Sequence, residues 1–446
     1  MPIDYLTKKK PFQALLIFAL PMMIGNFFQQ TYTMADSAIV GRYVGEQALA
    51  AVGASYSLTN IFICIAIGGG AGASVIVSRY FGAKEFNKMK LAVCTALITF
   101  LSISILLAGF GLLFSHQIMI WLNTPADVLD MATEYLSIYF MGLPFLFMYN
   151  ILSSMFNALG KSRIPLCFLI FSSLLNIGLD ILFVTQFHFG VAGVAWATLI
   201  AQGVSVLLSL AVFIRTLSGL NCGHTALFNG TELTSMAWIA LPSILQQSII
   251  SIGMMLVQSV VNSFGSQALA GFSAAMRVES ISIVPLLAIG NALSSYTAQN
   301  IGARKKERVT EGYHVANKMV FFFAVIICIV LELFHHPIAA FFLGSDGTET
   351  AFATTEGYLT FMGWFYGIIG CKLAVDGVLR GAGDMKMFTI ANLTNLFIRV
   401  TVSMTLAPLL GISMIWISVP MGWFANWTIS YIQYRRGKWK VLADKL

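Results

Sequence analysis

The sequence predicts an all-α polytopic membrane protein, with twelve transmembrane helices in two pseudo-symmetric six-helix bundles. Three observations lead there: an apolar excess, a one-sided distribution of basic residues, and an internal repeat. Of the 446 residues, 58% are hydrophobic and only 10% charged, against roughly 45–50% and about 25% in soluble domains. Mean hydropathy is +0.81. So few charges cannot cover a water-facing surface, and most of the chain must face lipid or other apolar helices. The same composition excludes disorder, collagen and secreted disulfide scaffolds. Long apolar stretches without a two-residue alternation favour helices over a membrane barrel.

Taken in order, spans are expected near residues 13–40, 47–78, 91–115, 129–157, 164–186, 191–214, 236–263, 268–300, 315–340, 353–379, 388–408 and 412–434. The opening MPIDYLTKKKPFQALLIFALPMM imitates a signal peptide, but it has no small-x-small cleavage site and its apolar run continues, so it reads as the first span. On this map 22 of the 26 Lys and Arg fall on the side of the N-terminus. Only Arg42 falls on the other side, and Arg277, Lys372 and Arg399 lie within spans. One missed span would invert every later loop, so the partition supports the count. The positive-inside rule then places both termini in the cytoplasm. The net charge of +7 is membrane-surface charge and no nucleic-acid footprint. The six cysteines (Cys64, Cys94, Cys167, Cys222, Cys328, Cys371) are scattered without ligand spacing and read as small hydrophobes.

The halves match each other. ALP at 19–21 recurs at 240–242, Gly45-Glu-Gln-Ala-Leu-Ala as Gly265-Ser-Gln-Ala-Leu-Ala, Phe81-Gly-Ala-Lys as Ile301-Gly-Ala-Arg, and Asn157-Ala-Leu-Gly-Lys as Arg380-Gly-Ala-Gly-Asp, at offsets of 221, 220, 220 and 223. Six spans per half return the chain to its starting side, so the repeat is parallel, as in carriers whose bundles rock about a cavity. The expected organisation is an N-terminal lobe over 1–214, a polar cytoplasmic linker over 215–235 and a C-terminal lobe over 236–446.

Ionisable groups inside spans cost about 2.5–3.5 kcal/mol each on insertion scales and so call for a role or a partner. Asp36 (first span), Asn176 and Asp180 (fifth) and Thr198 (sixth) fall at similar depth below the outer surface. Two carboxylates, an amide and a hydroxyl form a hard-oxygen set that suits Na⁺ or a shared proton. The repeat places Val257 opposite Asp36, Ser403 opposite Asp180 and Arg399 opposite Asn176, which confines this chemistry to the first half. Gln29, Tyr32 and Asp36 share one stripe, with Pro21 fifteen residues before Asp36 as a hinge. Gln246 on the seventh span, Glu279 on the eighth and Asn157 at the end of the fourth join Gln29 and Tyr32 as expected substrate contacts. For Glu279, pairing with Arg399 is an equal alternative. Lys372, Asp376 and Arg380, spaced i, i+4, i+8, read as a self-neutralising ladder.

With these residues placed, the chain resembles the multidrug and toxic compound extrusion (MATE) transporters over essentially its whole length. The resemblance rests on ALPMMIGNFFQQTYTMADSAIVGR, on NIGLD (Asn176 to Asp180), on GVAWATLI and on the GxQALAA/GxQALAG repeat. It points to the DinF-like branch, in which positions matching Asp36, Asn176, Asp180 and Thr198 form the cation or proton site. It implies a multi-pass protein of the bacterial cytoplasmic (inner) membrane, acting as a monomer. Its function would be export of amphipathic, often cationic drugs or metabolites against inward H⁺ or Na⁺, with no cofactor beyond that ion. The alternative is a flippase for a lipid-linked precursor with the same architecture, a function that calls for basic rather than acidic cavity groups. No hydrolase, ATP-binding or metalloenzyme motif stands in a suitable context, so the chain is not expected to be an enzyme.

Overall fold

The computed structural model describes residues 4–220, 223, 226–344 and 347–442. Cys222 and Lys445 lie outside them. The described chain is helical throughout: α1 (Tyr5–Lys8), α2 (Pro11–Ile39), α3 (Glu46–Gly82), α4 (Phe86–Trp121), α5 (Leu129–Ala158), α6 (Arg163–Ile181), α7 (Gly190–Ser218) and α8 (Gly230–Asn262), then α9 (Ser266–Ser282), α10 (Val284–Gly302), α11 (Lys306–Leu343), α12 (Glu349–Gly363), α13 (Tyr366–Ala382), α14 (Met385–Leu410), α15 (Ser413–Arg436) and α16 (Lys438–Leu442).

Nine described helices are each long and apolar enough to cross a membrane. Two of the expected spans are broken, α9 with α10 at 41° and α12 with α13 at 55°. With α15, whose buried Ser418, Asn426, Ser430 and Gln433 lower its hydropathy, these complete the twelve. The connection between halves is shorter than the expected 215–235, because α7 runs to Ser218 and α8 starts at Gly230.

The chain divides into two compact units, one of Met1–Met23 with Leu245–Leu446, here called the C-terminal unit, and one of Ile24–Ile244, the N-terminal unit. The division therefore falls inside α2 and α8 and not at the linker. Both crossing points lie two to three residues after a proline, Pro21 and Pro242, where a helix lacks one backbone hydrogen bond. In the C-terminal unit, Ala14, Leu15, Phe18 and Ala19 of α2 are buried in one core with Leu286, Ile289 and Leu293 of α10. In the N-terminal unit, α3 meets the first half of α8 at Gly68 and Gly72. A Cβ there would lie 2.5 Å from Ile244 Cα and 2.3 Å from Ala240 Cα, so only glycine permits this approach.

Internal symmetry extends to backbone detail. Gly45 and Gly265, equivalent in the repeat, have φ of 107° and 94°, and Lys84 and Arg304 have φ of 62° and 58°. One difference stands out. α2 continues as a π-helical turn over Val40–Val44, and α6 as another over Leu182–Gln186. Twenty-four residues separate Pro21 from Gly45, but only 23 separate Pro242 from Gly265. A π turn absorbs one extra residue without ending the helix, and the first π turn absorbs this one.

Candidate functional site

The N-terminal unit gathers the predicted polar residues of α2, α6 and α7. Tyr32 Oη donates to Asn176 Oδ1. Asn176 Nδ2 donates to Thr198 Oγ1 at 3.3 Å, and Thr198 Oγ1 donates in turn to its own helix at Val194 O, 3.0 Å away. Asp36 and Asp180 meet within hydrogen-bonding reach of each other. Asp180 is fully enclosed, and Asp36 Oδ1 and both Asp180 oxygens receive no hydrogen bond from the protein. The two facts fit together: ionised carboxylate oxygens only accept, so a hydrogen bond between the two acids requires a shared proton. Each acid sits just before a π turn, Asp36 four residues ahead of Val40 and Asp180 two ahead of Leu182, and the two π turns pack on each other.

Two tyrosines that sequence reasoning missed complete this region. Tyr135 of α5 lies within electrostatic range of both acids. Tyr139, one turn on, donates to Thr59 O at 3.3 Å. With Thr198, Gln202 and Gly142 they line a cavity of about 50 Å³ between α5 and α7. The repeat offered a signal for Tyr135: Tyr135-Leu136 matches Tyr358-Leu359 at offset 223, so each half carries a tyrosine at this place. The donor set here is oxygen only, suited to a hard monovalent cation or a proton. No group of three or more His, Cys, Asp or Glu fit for a metal ion occurs among the described residues.

The remaining predicted residues stand apart. Gln29 is exposed on α2, its carbonyl accepting from Thr33 Oγ1 at 2.9 Å. Asn157 lies in the last turn of α5 with its buried Oδ1 unpartnered. In the C-terminal unit, Gln246 is buried and donates to Asn392 Oδ1 at 3.3 Å. The same oxygen accepts from Lys372 Nζ at 3.2 Å and Asn426 Nδ2 at 3.1 Å. Lys372 pairs with Asp376 at 3.0 Å, as the spacing suggested, whereas Arg380 leaves that ladder for Asn291 Oδ1 at 2.7 Å and Ser294 Oγ at 3.2 Å on α10. Glu279 is buried, accepts from Tyr358 Oη, and has Arg399 as its nearest cation.

Twelve spans in duplicated halves, with a buried acid pair in one of them, define a polytopic membrane transporter. The MatE family profile matches residues 21–182 and 242–405, and the chain belongs to that family. Over 438 residues it is 29% identical to a probable multidrug resistance protein, YpnP, of Bacillus subtilis, covering 98% of this chain and 97% of the relative. It is 24% identical to the multidrug export protein MepA of Staphylococcus haemolyticus over 418 residues, covering 92% and 91%. Its fold matches an outward-facing multidrug resistance MATE family transporter at a TM-score of 0.91 and 24% identity, covering 100% of this chain and 99% of the other. A MATE crystal structure in complex with MaL6 matches at 0.91 and 23%, covering both chains fully.

Proposed function

We propose that this chain is a secondary active exporter of amphipathic, often cationic small molecules, driven by inward movement of H⁺ or Na⁺. The observation that carries the reading is the convergence of Asp36, Asp180, Asn176 and Thr198, from three helices, on one oxygen-rich site in which Asp36 Oδ1 and both Asp180 oxygens lack a donor from the protein. The names of the relatives YpnP and MepA support the substrate class. The acids of the N-terminal unit support the DinF-like branch, and the one-sided basic residues support a cytoplasmic-membrane protein with both termini inside.

Two like charges about 4 Å apart repel by about 4 kcal/mol at an effective dielectric near 20. That exceeds the 1–3 kcal/mol typical of coupling between two sites. Entry of one cation removes the repulsion and draws α2 against α6. Tyr32, bonded to Asn176, moves with them and narrows the space beside Gln29 and the α5–α7 cavity, where drug binds. Drug and ion therefore compete, and drug leaves outward as the ion enters. Alternation follows from rocking of the bundles, with α2 bending after Pro21. Glu279 serves as a second carboxylate that favours cationic cargo.

The test is efflux of a fluorescent lipophilic cation from proteoliposomes under separately imposed Na⁺ and H⁺ gradients. Efflux driven by one of the two gradients is the expected result. Equal efflux without either gradient would overturn ion coupling, and movement of a lipid-linked pyrophosphate in place of the dye would favour the flippase.

A further inference from the structure

The N-terminal segment is not a loose tail. Tyr5 and Leu6 are 5% and 1% exposed, sunk into the C-terminal unit's core. The carbonyls that end α1 are held from the α10–α11 turn. Arg308 Nη2 donates to Lys9 O at 2.6 Å and Leu6 O at 3.3 Å. Lys305 Nζ donates to Thr7 O at 2.8 Å and Asn300 Nδ2 to Leu6 O at 3.2 Å. This docking places Lys8, Lys9 and Lys10 beside Arg304, Lys305, Lys306 and Arg308, from positions some 300 residues apart in sequence. The acids of the same segments are Asp4, Glu307 and Glu311, and Asp4 is already paired with Lys8 at 2.5 Å.

The pseudo-equivalent place in the N-terminal unit is built alike but carries fewer basic residues. There the segment leading into α8 docks through Gly223, whose N–H donates to Asn87 Oδ1 at 2.8 Å and whose carbonyl accepts from Lys90 at 3.2 Å. Its described residues bring no charge, and Lys88 is paired with Glu85 at 2.8 Å. In the C-terminal unit, Lys9, Lys10 and Arg304 have no ion-pair partner among the described residues. Next to them on α2, Phe12 and Leu20, eight residues apart on one face, are 52% and 48% exposed. Cations at the end of a span with an apolar strip running away from them match a phospholipid: phosphate at one end, acyl chain along the other.

We propose that the docked N-terminal segment and the α10–α11 turn form a binding site for an anionic phospholipid of the cytoplasmic leaflet. Its phosphate sits among Lys9, Lys10 and Arg304 and an acyl chain lies along Phe12 and Leu20. The inference rests on the orientation proposed above. It concerns only lipid binding, so it stands or falls apart from transport.

The experiment uses the full chain in neutral detergent, titrated with phosphatidylglycerol or phosphatidylcholine and read by native mass spectrometry. Each basic residue near an anionic surface contributes roughly fivefold in affinity, so Lys9→Gln/Lys10→Gln/Arg304→Gln is expected to weaken phosphatidylglycerol binding roughly hundredfold. The charge-preserving Lys9→Arg/Lys10→Arg/Arg304→Lys and the mirror set Lys84→Gln/Lys88→Gln/Lys90→Gln are expected to bind within about twofold of the natural protein. Equal affinity of the natural protein for both lipids, or indifference to the first triple substitution, would overturn the site. So would full displacement of the lipid by excess inorganic phosphate, which would make a free anion the occupant. A natural protein without phosphatidylglycerol preference but with intact efflux would end this inference and leave the transport reading untouched.

Discussion

The two units carry the same repeat and opposite solutions to buried charge. At offset 223, Ser403 replaces Asp180 and Arg399 replaces Asn176; at offset 221, Val257 replaces Asp36; and at offset 220, Ser418 replaces Thr198. In the C-terminal unit Val257 and Ser403 stand at the places of the two acids, and Ser403 Oγ meets Ser418 Oγ, the counterpart of Thr198, at 2.9 Å. Of the buried carboxylates there, Glu279 has a tyrosine donor and a nearby guanidinium, Asp376 pairs with Lys372, and Asp384 accepts from Gln433. Tyr135 and Tyr358 persist in both units, so the scaffold was kept while the charges were redistributed. A group whose charge is compensated has no need of an ion, whereas a pair of facing carboxylates does. The difference lies in which buried acids have a donor: Glu279 has one, whereas neither oxygen of Asp180 does.

The π turns belong to the same contrast. Among the described residues they occur only in the N-terminal unit, one following Asp36 and the other Asp180. A π turn leaves its helix wider and its register shifted, a feature frequent at functional sites.

The largest expected effect comes from neutralising the pair. Asp36→Asn with Asp180→Asn is expected to lower gradient-driven efflux by on the order of 10²-fold or more, the consequence of removing a coupling term of roughly 3 kcal/mol, with normal membrane expression. Glu279→Gln, the counterpart in the other unit, should lower uptake of cationic compounds more than neutral ones while leaving gradient dependence in place. Equal losses for both classes would make Glu279 structural.

Deleting Tyr43 would give the first span the spacing of its C-terminal counterpart. One residue fewer turns everything on one side of the deletion by about 100° about the helix axis. Gradient-driven efflux is expected to fall by on the order of tenfold, with helical content unchanged by circular dichroism. Full efflux would show that the π turn is only a tolerated insertion.

A smaller effect tests the glycine contact. Gly72→Ala should cost about 1–3 kcal/mol through overpacking against Ala240, seen as a lower Tm in detergent. The counterpart at offset 220, Ala292, already carries its methyl group in a full core. An unchanged Tm would mean that α3 and α8 adjust freely. Least disruptive of all, Pro21→Ala restores a helix hydrogen bond at the crossing point. Turnover is expected to slow several-fold, with drug affinity within about twofold, because the substitution touches bending and not the site.

Much of this was legible in the sequence, and the exceptions have physical causes. Composition and the basic-residue partition gave twelve spans because lipid imposes length and polarity on each helix independently. The grouping of Asp36, Asn176, Asp180 and Thr198 followed from depth and helical spacing, since both are linear in residue number, whereas the Tyr32–Asn176 bond is visible only in the structure. What escaped depends on tertiary packing. Period and hydropathy cannot show that α9–α10 and α12–α13 bend, nor that α2 and α8 each divide between units. Asn157 and Gln246 were grouped with the substrate contacts by polarity alone, yet one lies in the last turn of α5 and the other is taken up by Asn392. Tyr135 was overlooked because a tyrosine in an apolar span looks like any core aromatic until its neighbours are known.

The central proposal is that the coupling ion is bound and displaced within the N-terminal unit alone. It is tested most directly by ion release from purified protein: a lipophilic cation is added in weak buffer, and proton release is followed with a pH dye, or ²²Na⁺ release by filtration. The account predicts release from the natural protein and from Glu279→Gln, and none from Asp36→Asn/Asp180→Asn. Undiminished release from the double variant, with loss in Glu279→Gln, would contradict it and move the coupling site to the C-terminal unit.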